Sequence, residues 1–145
     1  MKKIIKYLPI FIPLLLGTLV GIIIPSNNYS IINKPPLSPP GIIFPIVWSI
    51  LYLLMGISYF LVNKNKKNRN IFYLQLIVNL LWSSIFFSFK LYFISTLWII
   101  LLIILVIDMI NIFYKDNKIS GYLNIFYLIW LIFAFYLCFG VYILN

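Results

Sequence analysis

The chain has 145 residues, of which 64% are hydrophobic and 9% charged, and its mean hydropathy is +1.10. A soluble domain carries about 25% charged residues, so an ordinary soluble domain is excluded; the uniform rather than alternating hydrophobicity, with few glycines, excludes a transmembrane β-barrel. The net charge of +9 does not point to nucleic acid, because the cations sit in short clusters between apolar runs, which is how membrane topology is encoded.

The chain reads as an all-α membrane protein, a single domain over residues 1–145 forming a bundle of five transmembrane helices. The apolar runs cover roughly 7–24, 42–62, 71–89, 91–114 and 119–144, each near the ~20 residues that cross a bilayer core. Each must be helical, since unpaired backbone groups in lipid are too costly. The first run follows Lys2, Lys3 and Lys6 like a signal peptide, but Pro25-Ser26-Asn27-Asn28 is a poor cleavage site, so it reads as a retained helix. Gly17 and Gly21 form a GxxxG, which permits close helix approach within the monomer or in a dimer. The stretch KPPLSPPGIIFPIVWSILY at 34–52 comes next. Pro35, Pro36, Pro39 and Pro40 fix φ and remove backbone donors, so this loop is stiff and loses little entropy on ordering. Lys90 marks a very short connection, which makes the third and fourth helices a tight antiparallel pair. No repeat is visible, which weakens any transporter built on inverted repeats.

The Lys and Arg count orients the chain. Nine lie on the side of the N-terminus and of the second and fourth loops, against Lys34 and Lys90 on the other. Basic loops stay in the cytoplasm. The expected location is the plasma membrane, multi-pass, with a cytoplasmic N-terminus and an extracytoplasmic first loop and C-terminus.

Candidate chemistry is limited by what is missing. The sequence has no His and no Glu, and Cys138 is its only cysteine. Histidine-ligated haem, zinc sites, His-based acyl transfer and an internal disulfide are excluded, so no metal is expected. Aromatic residues instead recur at helical spacing. Trp48, Tyr52, Met55 and Tyr59 share one face of the second helix, Gln75, Asn79, Trp82 and Phe86 one face of the third, and Trp130, Ala134, Leu137 and Val141 one face of the fifth. Two readings are open for these stripes: helix packing, or the wall of an apolar cavity in which Gln75 and Asn79 orient a ligand. Asp108, the one acid within a span, has two readings as well: local pairing with Lys115, Asn111 or headgroups, or a proton or ligand role.

At these residues the chain resembles the tryptophan-rich sensory protein (TspO) family, also called translocator protein or peripheral benzodiazepine receptor. The resemblance runs through KPPLSPP at 34–40, Phe44, Val47-Trp48, Leu51-Tyr52 and Met55-Gly56. It continues in Gln75-Leu76, Asn79, Trp82 and Phe86-Phe87, then in Tyr127, Trp130, Phe133-Ala134, Leu137 and Leu144-Asn145. It implies a five-helix bundle, often a homodimer, with a cavity roofed by the first loop. It implies binding of protoporphyrin IX or another hydrophobic small molecule, with membrane lipid as a further partner and no cofactor. Some bacterial members are reported to degrade protoporphyrin in light, chemistry tied to two tryptophans that match Trp48 and Trp130. The ligand-binding set carried over is Trp48, Tyr52, Asn79, Trp82, Phe86, Trp130 and Ala134, under a lid of Lys34, Pro35, Pro39 and Pro40.

That set is physically coherent. A porphyrin is a flat π-system that aromatic side chains can stack on, its propionates would favour the rim near Lys34, and indoles are oxidisable without a metal. The sequence departs from the family at Asn28, where a Trp is common. Leu37 and Ile42 stand where aromatics are frequent, Pro45 is displaced from its usual place, and Phe126-Tyr127 and Leu137-Cys138 replace the usual pairs. Nothing basic follows Tyr142, which argues against sterol binding. Sensing or degradation of a tetrapyrrole, transport of one, and a regulatory scaffold without a ligand remain the three candidate functions.

Overall fold

The computed structural model describes residues 2–145, apart from the side chains of Lys2, Asn27 and Asn28, so the charge count at Lys2 and the comparison at Asn28 lie outside the described residues. Five helical segments are long and apolar enough to cross a membrane. Helix α1 covers Lys2–Ile23. One 3₁₀ turn at Asn27–Ser30 and an irregular loop lead to α2, Ile43–Phe60. Then come α3, Lys66–Ser83, which continues through a π-helical turn at Ser84–Ser88, and α4, Tyr92–Asp116. The fifth span is divided into α5, Lys118–Leu123, and α6, Ile125–Leu144. No strand occurs among the described residues.

Two boundaries differ from the apolar runs, each for a local reason. Helix α3 starts at Lys66 rather than near 71, because the Asn65 side chain caps it by accepting from the Lys67 N–H at 2.8 Å. Lys66, Lys67 and Arg69 are therefore helical, with only Lys64 left in the turn. The last span is not one helix from 119, because Asn124 interrupts it. Buried Asn124 donates from Nδ2 to Ser58 Oγ at 2.8 Å and to Ser120 O at 3.1 Å, while Ser120 Oγ donates to Ser58 O at 2.7 Å. This polar cluster fastens the break to α2.

Lipid tails are as apolar as a leucine, so the bundle is held by close packing and interhelical hydrogen bonds. At the end that carries the α2–α3 turn the packing is dense. Tyr59 stacks on Phe72 with ring centroids 3.9 Å apart, and Met55, Phe72, Met109 and Phe113 are fully buried. Gly56 lies against the Ile10 carbonyl so closely that a Cβ there would overlap it. At the other end α3 reverses into α4 through Lys90, at a left-handed φ of 53°, with Leu91 N–H donating to Ile85 O at 3.1 Å. Asp108 is exposed on α4 and has neither Lys115 nor Asn111 as a partner among the described residues. The carboxylate that does pair is Asp116, whose Oδ2 accepts from Asn68 Nδ2 at 2.7 Å.

Candidate functional site

Above the dense half the helices part around a cavity of about 1180 Å³, somewhat larger than the roughly 300–1,000 Å³ of most small-molecule pockets. Helix α2 contributes Phe44, Trp48 and Tyr52, and α3 contributes Asn79, Trp82, Phe86 and Phe87. Helix α6 contributes Trp130, Ala134 and Cys138, α1 contributes Gly17 and Gly21, and Lys34, Pro39 and Pro40 close the top. Every ligand-binding residue expected from the sequence thus faces one space. Pro35 does not: it is buried against Gly140, with no room for a Cβ between them. Trp98, outside every motif, points elsewhere and donates from Nε1 to Val78 O at 2.7 Å.

The wall is aromatic on three sides. Trp48 lies 5.4 Å from Tyr52 at 30° and meets Tyr127 edge-on at 6.2 Å. Phe44 meets Trp130 edge-on at 6.0 Å, and Trp82 stacks on Phe86 at 5.0 Å. The π-helical turn explains why Phe87 joins Trp82 and Phe86 on the cavity side, which regular α spacing would not do.

The floor is a directed chain of hydrogen bonds. The Tyr52 hydroxyl donates to Asn79 Oδ1 at 2.7 Å, Asn79 Nδ2 donates to the Tyr127 hydroxyl at 2.6 Å, and that hydroxyl donates to Gln75 Oε1 at 2.9 Å. Gln75 Nε2 ends it on Met55 Sδ at 3.2 Å. Both readings of the polar stripe therefore apply: Gln75 serves helix packing, while Asn79 does so and also borders the cavity. In the wall, the indole N–H groups of Trp82 and Trp130 are buried with no oxygen or nitrogen acceptor. Trp82 has only the thiol of Cys138 beside it, a weak acceptor. A buried donor left unpaired costs about 1–3 kcal/mol; neither nitrogen opens onto the cavity, so a ligand acceptor would reach it only after the ring shifts.

The roof is fastened at several points. Lys34 Nζ donates to Tyr29 O at 2.8 Å and Ile32 O at 3.3 Å and lies 4.8 Å from the Tyr29 ring centroid. An ammonium has three donors, so one remains for an anionic group. The Tyr29 hydroxyl donates to Pro39 O at 2.6 Å, and burial raises its pKa above the ordinary phenol value, keeping it a donor. Asn33 N–H donates to Asn145 Oδ1 at 3.2 Å and Asn145 Nδ2 to Asn33 O at 2.8 Å, which ties the loop to the end of α6. Tyr136 adds a bond from its hydroxyl to Pro36 O. No three His, Cys, Asp or Glu side chains gather among the described residues, so the site offers stacking and hydrogen bonds.

The sequence profile of the TspO/MBR family matches residues 9–144, which takes in most of α1 and all of the other helices that line this cavity. The chain belongs to the TspO/MBR family. It is 35% identical to the tryptophan-rich protein TspO of Chlorobaculum tepidum over 127 residues, 83% of this chain and 80% of the relative. It is likewise 35% identical to that of Archaeoglobus fulgidus, over 81% of this chain and 79% of the relative. To the protein CrtK of Rhodobacter capsulatus it is 32% identical, over 89% of this chain and 85% of the relative. With five apolar spans, this TspO/MBR chain is a multi-pass membrane protein.

Sequence reasoning did not assign to the site Phe44, Phe87, Tyr29, Cys138 or the α1 glycines. The GxxxG of Gly17 and Gly21 was the available signal for α1, but it reads equally as a packing motif. Tyr127 carried no sign of its hydroxyl joining Asn79 to Gln75, because a tyrosine within an apolar run looks like one more packing aromatic.

Proposed function

We propose that this TspO/MBR protein binds a porphyrin, protoporphyrin IX or a close relative, in the cavity beneath its first loop, and acts in tetrapyrrole sensing or light-dependent degradation. The observation that carries this reading is the aromatic wall of Trp48, Tyr52, Trp82, Phe86 and Trp130 around one cavity. A flat π-ligand stacks on such walls. The remaining Lys34 donor suits a propionate at the rim. Trp48 and Trp130 both border the cavity, so each indole lies within reach of an excited porphyrin, with dioxygen as the oxidant that degradation requires. The filled core beneath the polar floor counts against a carrier that passes its ligand through the middle of the bundle. The reading places the protein in the plasma membrane with the lid on the extracytoplasmic side.

The test is illumination of the purified protein with protoporphyrin IX, following the Soret band and any new product band. Wild type should bleach the porphyrin faster than buffer or detergent alone. Trp48→Phe and Trp130→Phe keep ring area but lose the easily oxidised indole, so they should retain binding and lose most of the light-dependent turnover. Bleaching at the same rate with and without protein would remove the degradative role and leave binding.

A further inference from the structure

The cavity is not closed on all sides: exposed residues border it at the loop, among them Pro40 and Gly41, and between α1 and α2. The facing rows of these helices can be compared level by level. On α1 the row is Ile10, Gly17 and Gly21; on α2 it is Gly56, Tyr52, Ser49 and Pro45, at helical spacing and running the opposite way. At the lowest level Gly56 touches the Ile10 carbonyl, leaving no room for a Cβ. One level higher Gly17 touches the Tyr52 ring just as tightly. At the third level contact stops: a Cβ on Gly21 would have nothing within 4 Å. The two helices are thus pinned at two levels, and at the third Gly21 faces open space.

The residues beside the gap belong both to the cavity and to the protein surface. Thr18 and Gly21 of α1 and Pro45 and Ser49 of α2 border the cavity and are exposed. Ser49 is six residues inside α2, about 9 Å along its axis, so the gap lies within the lid-side part of a hydrocarbon core about 30 Å thick. Its chemistry suits lipid. Thr18 Oγ1 donates to Leu14 O at 2.7 Å and Ser49 Oγ donates to Pro45 O at 2.6 Å, so both hydroxyl protons are already used within their own helices. None of these four residues is charged. The top, by contrast, is stiffened by prolines and tied to α6 through Asn33, Asn145 and Tyr136.

We propose that the gap between the lid-side halves of α1 and α2 is a lateral portal, through which hydrophobic ligands dissolved in the adjoining leaflet enter and leave the cavity without the lid opening. The proposal rests on the porphyrin-binding reading above. A portal controls rates rather than equilibrium: obstructing it raises the barrier equally in both directions.

The test is stopped-flow quenching of tryptophan fluorescence by protoporphyrin IX, with the full chain in lipid nanodiscs. Thr18→Phe and Ser49→Phe each place bulk at the exposed rim of the gap, on opposite helices. Each should slow association and dissociation by the same factor, about tenfold. Unchanged rates in both variants, with wild type binding normally, would overturn the portal and leave the cavity reading standing. A change in dissociation alone would mean that the new side chain touches the bound ligand, and would also count against the portal. Failure of wild type to quench at all would overturn the porphyrin reading and the portal with it.

Discussion

Single residues decide how the cavity is shaped and how firmly its floor is held. The Tyr127 hydroxyl is both acceptor for Asn79 and donor to Gln75. Interhelical hydrogen bonds in membranes average about 0.6 kcal/mol, but Tyr127→Phe strands two buried amide groups at once, each worth about 1–3 kcal/mol if left unpaired. The expected loss of stability is about 2 kcal/mol or more, read as a lowered thermal unfolding midpoint in detergent. Ala134 is 8% exposed and borders the cavity. Ala134→Thr should lower porphyrin affinity while the protein still purifies folded, because a threonine hydroxyl bonds back to its own helix and only the added bulk reaches the ligand. Unchanged affinity would remove Ala134 from the site. Trp48 and Tyr52 of α2 and Trp82 and Phe86 of α3 were legible in the sequence because aromatic side chains at i, i+4 spacing share a face wherever the helix lies, whereas Phe44, Phe87 and Tyr29 were not. Tyr127 in the floor was not, since periodicity carries no information about which hydroxyl meets which amide across three helices.

Among the elements, the loop at 31–42 and the end of α6 act as one unit. The Asn33–Asn145 pair exchanges two hydrogen bonds, and Asn145→Ala removes both. Amide hydrogen exchange at Asn33 and its neighbours should then quicken, while the Met55–Phe72 core keeps its protection; equal protection in the two proteins would show that the prolines and the Tyr136–Pro36 bond hold the loop without Asn145. The loop's stiffness was readable from its prolines, but its attachment across 112 residues of sequence was not. The same limit applies to the π-helical turn at Ser84–Ser88 and the break at Asn124. Each depends on tertiary partners, and an apolar run with one asparagine reads as continuous helix until Ser58 and Ser120 are seen to hold that asparagine. Asn65 and Asn117 were the overlooked local signals, since each caps the helix that follows it.

For the whole molecule, five spans and their approximate limits followed from hydropathy alone, because the bilayer leaves a hydrophobic chain few alternatives to helices. The division into a packed half and a hollow half did not, since it depends on Gly56 meeting Ile10 while Gly21 meets nothing. Orientation is a property at this scale too: the nine-to-two split of basic residues predicts that a reporter fused after Asn145 is active only outside the cytoplasm, and cytoplasmic activity would reverse the assignment. The claim on which the functional account turns is that porphyrin occupies the aromatic cavity. The most direct measurement is a Soret-band titration of protoporphyrin IX against wild type, Trp48→Ala and Trp98→Ala. The account predicts saturable binding by wild type, affinity weakened by about 1 kcal/mol or more in Trp48→Ala from lost stacking, and near-wild-type affinity in Trp98→Ala. Equal affinity in all three proteins would place the porphyrin elsewhere and contradict the account.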